Sequence, residues 1–162
     1  AMVLNILMLL IGFSMMELVA WSNHKYVMHG FLWRWHKDHH VRDRQKVTQS
    51  ELAKTEANRF EKNDLFFIVY ATPAIVLMVI GIALQLMPAL FLSIGITLYG
   101  MIYFLIHDVA IHQRLNIPFL IDSRNKYLQA IIRAHVAHHR PKKKTDFYNY
   151  GLLIFPKKFW NE

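Results

Sequence analysis

Ten histidines carry the chemistry open to this 162-residue chain, and none of them stands alone. They fall as His24 and His29, then His36, His39 and His40, then His107 and His112, then His135, His138 and His139. Two spacings account for them all. H-x4-H occurs at 24–29 and at 107–112, H-x2-H-H at 36–40 and at 135–139, so the same pair is written twice in the same order. Imidazole nitrogen suits iron, zinc, copper and nickel. Cysteine is absent, which excludes disulfides and thiolate sites and leaves nitrogen and oxygen as donors. A tetrahedral ion needs about four ligands, so ten imidazoles would serve two ions with about four or five nitrogens each. A pH sensor, scattered surface histidines or several structural zinc sites each leave the clustering and pairing to coincidence.

Positions three and four apart on a helix share a face, so His36 projects beside His39 and His40, and His135 beside His138 and His139. Positions five apart differ by about 140° on an ideal helix. The H-x4-H pairs therefore need either metals lying across the helix surface or a local bend, and spacing leaves both open. Asp108 follows His107, and Asn63 and Asp64 open an apolar stretch. These three are candidates to accept the second ring N–H of a ligand histidine. Asp64 reads equally well as a charge at a helix N-terminus. Glu17 lies nearly two turns before His24 and faces the same way. A carboxylate inside a membrane is costly and usually functional; orienting a ligand or polar packing suits it better than direct ligation.

The elements that must position these groups are apolar. Val3–Trp21 has Glu17 as its one charge, and Leu65–Met87 and Ala89–Ile106 have none. Each is long enough for a helix to cross a ~30 Å hydrocarbon core. The expected fold is all-α: an integral membrane helical bundle of one domain, with spans near 3–23, 65–87 and 89–107 and a histidine-rich cap of short helices from 24–62 and 108–162. Pro88 suits the first turn of the third helix, Pro73 should kink the second, and Gly81, Gly95 and Gly100 should allow close packing. The first stretch lacks the basic start and small-residue cleavage pattern of a signal peptide and is expected to be retained.

Charge supports membrane helices over buried helices of a soluble bundle. All 19 Lys and Arg residues lie between Lys25 and Lys62 or between Arg114 and Lys158. Three crossings put both basic regions on one side, and the positive-inside tendency makes that side cytoplasmic, with the N-terminus outside. Every histidine then lands on that same face, although histidine played no part in the assignment. The formal charge of +8 is accounted for by topology, so no nucleic-acid partner is expected. In the polar linker Val41–Lys62, "SELAKTEANRFEK" has helical composition with Ser50 as a candidate N-cap. "SRNKYLQAIIRAHVAHHR" reads as an amphipathic surface helix, and "FPKKFWNE" as an interfacial anchor.

The neighbours of the histidines carry a resemblance. Four such boxes in a short membrane chain resemble the fatty acid hydroxylase superfamily of non-haem di-iron enzymes. "HKYVMHG" (24–30), "WHKDHH" (35–40), "NDL" (63–65), "YGMIYFLIHDVAIHQR" (99–114) and "AHVAHHR" (134–140) are similar to the bacterial β-carotene hydroxylase branch. The linker 41–62 is longer than in that branch, and the stretch after His139 is only loosely similar. The resemblance implies that all ten histidines hold two iron ions. It implies hydroxylation of C3 of a β-ionone ring with O2, taking β-carotene to β-cryptoxanthin and zeaxanthin. The substrate dissolves in the lipid bilayer, so a channel between the helices should lead from lipid to the metals. No flavin, haem or nucleotide motif is visible, so electrons must arrive from a partner, which the family makes a ferredoxin with its reductase. Lys142, Lys143 and Lys144 would steer an acidic donor or follow anionic lipid. The rivals are a fatty acyl or sterol hydroxylase or desaturase, a carotenoid ketolase, and a non-catalytic membrane metal-binding protein. A transporter would place its ligands near the bilayer midplane, unlike these.

Overall fold

The computed structural model describes residues 1–46, 60–141 and 148–160, with backbone alone for 42–46. Every regular element among the described residues is helical. Helix α1 spans Met2–Ser22 and runs on through a wider π-helical segment, Asn23–Phe31. Helix α2 follows at Trp33–Lys46. A 3-10 turn at Lys62–Leu65 opens helix α3, Phe66–Ala83. Helix α4, Met87–Tyr103, continues into a second π-helical segment, Phe104–Ile111. The short α5 (Pro118–Ile121), then α6 (Lys126–His139) and a 3-10 turn (Lys157–Trp160) complete the cap.

Three helical runs are long and apolar enough to cross a membrane: Met2–Phe31, Lys62–Ala83 and Met87–Ile111. Most of their apolar side chains face outward, among them Leu10, Leu18, Phe67, Ile75 and Ile82. A belt of that extent is the surface a helix presents to hydrocarbon. Helix α4 sits between α1 and α3 and packs on both. The small core joining the three runs holds Met16, Ala20, Ala74, Ile96 and Tyr99.

Close approach depends on missing side chains. A Cβ on Gly95 would meet the carbonyl of Leu9, and one on Gly81 would lie 2.7 Å from the backbone nitrogen of Leu90. Small residues are what let membrane helices approach this closely. Gly100 differs from expectation: nothing lies within 4 Å of where its Cβ would be, because it faces a cavity. Gly12, against the carbonyl of Leu92, takes that packing role.

Pro88 does occupy the first turn of α4, but the hairpin turns just before it, with Gln85 at φ 53°. Helix α3 continues through Pro73. Asn125 caps α6 by accepting from the backbone N–H of Leu128 at 3.1 Å. This helix is amphipathic, yet its inner face holds Ala130, Ile131, Ala134 and three histidines in the core of the cap. Phe159 departs from the anchor reading as well. It is buried, and Arg133 grips its carbonyl with two N–H donors at 3.1 and 2.6 Å. Trp160 remains exposed beside Tyr127. Ser50 and the proposed linker helix lie outside the described residues.

Candidate metal centre

The two H-x4-H pairs span the two π-helical segments, His112 capping the end of the second. There the backbone closes bonds five residues apart: Leu32 N–H to the Val27 carbonyl and His112 N–H to the His107 carbonyl, each at 3.0 Å. A turn that wide brings positions five apart onto one side, and such segments are frequent at functional sites. The rings of His24 and His29 come within 5.0 Å, and those of His107 and His112 within 4.6 Å. Near the end of the first segment, non-helical Gly30 redirects the chain into α2.

The H-x2-H-H boxes divide. His36 and His40, one turn apart on α2, join His24, His29 and His138; His39 turns away to join His107, His112 and His135. Within each group, one ring nitrogen per residue lies within 4.8 Å of all the others. His139 stands between the groups. Its ring stacks on His40 at 4.1 Å and lies 4.5 Å from His135.

Proton placement shows what these groups can hold. A carbonyl oxygen can only accept, so His24 Nδ1–H donates to the Tyr150 carbonyl at 2.9 Å, and His138 Nδ1–H to the Tyr148 carbonyl at 2.6 Å. His36 Nδ1–H donates to Asn63 Oδ1 at 2.7 Å. Each neutral ring then presents a bare lone pair at Nε2. These nitrogens converge with those of His40 and His29. His24 Nε2 is 3.1 Å from His36 Nε2, which is 3.0 Å from His40 Nε2, and His138 Nε2 is 3.0 Å from His29 Nε2. In the second group, His112 and His135 bring their Nε2 atoms to 3.2 Å. His39 Nδ1 lies 3.0 Å from Glu61, and its Nε2 is buried with no hydrogen-bond partner.

The Nε2 lone pairs of His24 and His36 face one another and repel, and a cation between them reverses the sign. Two nitrogens each ~2.1 Å from an ion, at ~90–109°, are ~3.0–3.4 Å apart, which is the spacing found here. The residues therefore fit a metal ion in each group. Burial favours the neutral, ligating form of the rings. It holds His36, His39, His40 and His135 below the ordinary imidazole range and brings His138 down to about 3.

One turn, residues 61–64, supports both groups. Glu61 meets His39 of the second group, and Asn63 meets His36 of the first. Asp64 touches no histidine. It accepts from the Glu61 N–H at 2.9 Å and from both terminal nitrogens of Arg114, one at 2.9 Å. That pairing raises the pKa of Arg114. Asp108 lies 3.4 Å from His107 Nδ1, longer than a firm hydrogen bond. Glu17 also contacts no histidine; it accepts from Tyr99 Oη–H at 2.6 Å and from the backbone N–H groups of Leu152 and Ile154. Lys142, Lys143 and Lys144 lie outside the described residues.

Sequence reasoning missed Glu61, Arg114 and the carbonyls of Tyr148 and Tyr150. Glu61 could have been found as the first member of a capping pair with Asp64. A backbone carbonyl leaves no mark on the sequence.

Beside the second group a cavity of about 930 Å³ opens between α3 and α4. Tyr70, Ala74, Ile96 and Tyr103 line its apolar length, and His107 and Arg114 stand at its polar end.

Residues 9–160 match the family model described as fatty acid hydroxylase. Among curated proteins, the chain is 36% identical to the β-carotene hydroxylase of Pseudescherichia vulneris, covering 96% of this chain and 80% of that one. It is 34% identical to the β-carotene hydroxylase of Pantoea ananas, over 94% of this chain and 78% of the other. It is also 34% identical to β-carotene hydroxylase 2 of Capsicum annuum, a chloroplastic protein of which it covers 42%. No solved structure matches it.

Proposed function

Since the chain belongs to the fatty acid hydroxylase family, we propose that it is a di-iron monooxygenase hydroxylating C3 of the β-ionone rings of β-carotene, giving β-cryptoxanthin and zeaxanthin. The observation that carries this reading is the apolar cavity ending at His107, one member of a group whose nitrogens converge on a common point. A long polyene dissolved in lipid can slide its ring between α3 and α4 without meeting water. The bacterial relatives named β-carotene hydroxylase extend over nearly the whole chain and favour that substrate.

The ring C–H bond is beyond acid–base chemistry, and two irons, when bound, supply activation of O2 and insertion of one oxygen atom into that bond. Two electrons and two protons reduce the other oxygen to water. The chain's own residues do the rest. Histidines of the two groups are the proposed ligands, with His139 between them, and Glu61, Asn63 and the Tyr148 and Tyr150 carbonyls hold the rings in the ligating tautomer. Tyr70, Ala74 and Ile96 exclude water from the substrate. The electrons are proposed to come from a ferredoxin served by its reductase. Exposed Arg34, Lys37, Arg124, Lys126, Lys157 and Lys158 surround the histidine end and would draw an acidic donor. The same charges favour the cytoplasmic side for that end.

Pigment analysis of bacterial cells that accumulate β-carotene tests this reading. Cells expressing the protein should contain β-cryptoxanthin and zeaxanthin, and cells expressing His39→Ala should contain only β-carotene. Keto-carotenoids would keep the site and change the reaction. Unchanged β-carotene with iron-loaded protein present would move the assignment to fatty acyl or sterol substrates.

A further inference from the structure

Glu17 is a buried carboxylate on a membrane helix, seven residues from His24 and bonded to no histidine. Its two oxygens have different tasks. Oε2 accepts from Tyr99 Oη–H at 2.6 Å, which fixes the carboxylate against α4. Oε1 accepts from the N–H groups of Leu152 at 2.8 Å and Ile154 at 3.0 Å. The strap held in this way, residues 148–154, carries the Tyr148 and Tyr150 carbonyls. Those carbonyls take the Nδ1 protons of His138 and His24 and so leave both Nε2 lone pairs facing inward. Only the Gly151 residue separates the Tyr150 carbonyl from the Leu152 amide.

Gly151 is part of the same fit. A Cβ there would lie 2.7 Å from Glu17 Oε1 and 3.0 Å from the Ile154 carbonyl. A methyl there would part the two, whether the carboxylate or the strap gives way. At its other end Asn149 sits in the left-handed region at φ 60° and donates from its side-chain amide to the Ala134 carbonyl. Tyr127 Oη–H bonds the Leu153 carbonyl at 2.6 Å. Among these contacts, Glu17 alone comes from the helix that leads into His24.

We infer that Glu17 is a positioning residue for the five-histidine group: it clamps the 148–154 strap so that its carbonyls fix the tautomer and aim of His24 and His138. The inference rests on the proposal that this group holds a metal. The two strap carbonyls that the clamp holds accept from His24 and His138 of the five-histidine group, so its loss should be felt first by that group.

The test compares purified full-length wild type, Glu17→Leu, Glu17→Gln and Gly151→Ala for metal bound per chain and for the Mössbauer spectrum of iron-57-loaded protein. Leu removes both acceptors. Gln keeps an oxygen for the two strap amides and an amide to face Tyr99. Ala at 151 keeps the carboxylate but crowds it apart from the strap. Wild type and Glu17→Gln should bind two ions, one per group. Glu17→Leu and Gly151→Ala should retain one, with one of the two Mössbauer signals lost and the other retained. Should Glu17→Leu fail to fold, Gly151→Ala decides: one ion supports the clamp and two overturn it. Folded Glu17→Leu with both ions, or folded protein losing both ions equally, also overturns it, with the metal reading intact. Wild type that binds no iron, zinc or other metal removes the metal reading and the clamp with it.

Discussion

An imidazole can hold a metal with one nitrogen only if the other is told where to keep its proton. Here Glu61 and Asn63 do this from a single turn, one for each histidine group. Removing such a partner costs metal affinity about 10–100-fold. Glu61→Ala should therefore weaken one bound ion by about that factor, and Asn63→Ala the other, as read by chelator competition. Burial adds a pH dependence. His138 is neutral in the fold down to about 3, while an unfolded chain takes up its proton near ~6.5. Between those values the unfolded state binds more protons, so stability falls as pH falls from ~6.5 towards 3. Metal-free protein in detergent should show a melting temperature that drops steadily from pH 7 to pH 5 and is flat above pH 7. The histidine types and pairings were legible in the sequence because two spacings repeat. Their orienting partners were half legible: Asn63 adjoins a recognisable box, whereas Glu61 sits in a linker and the Tyr148 and Tyr150 carbonyls belong to no residue type.

At the scale of elements, arithmetic for an ideal α-helix separates His24 from His29 by about 140°. The chain answers by widening the helix in two places, each at the end of a membrane run where it meets the cap. The apolar runs themselves follow from hydropathy, because about twenty residues with at most one charge have few alternatives in lipid. The wide turns do not, because an i→i+5 bond depends on what the rings find across the bundle. Helix packing is similarly divided. Gly95 and Gly100 look alike in sequence, and the structure gives them opposite surroundings. Gly95→Ala drives a methyl into the backbone of α1 and should destabilise by about 1–3 kcal/mol, the usual cost of overpacking. Gly100→Ala meets open space and should be neutral or stabilising by up to about 1 kcal/mol, since a helical glycine loses backbone entropy that alanine does not. Thermal unfolding of the two variants in the same detergent distinguishes the cases.

For the molecule as a whole, the arrangement puts all the histidines at one end and the α3–α4 hairpin at the other, with an outward-facing apolar belt between them. The charge map predicts which end meets the cytoplasm: an excess of Lys and Arg is retained there, and every such residue lies in the segments flanking the histidine boxes. An electron donor and a supply of iron would then be on the same side as the site, while the hairpin turn faces out. The chain has no cysteine, so a single introduced thiol reports without background. Gln85 and Arg124 are both exposed, one in the hairpin turn and one in the cap. In intact spheroplasts, Gln85→Cys should react with a membrane-impermeant maleimide, and Arg124→Cys should react only after permeabilisation. The reverse pattern would place the histidine groups outside. It would separate them from any cytoplasmic ferredoxin and require electrons from a donor in the membrane or on its outer face.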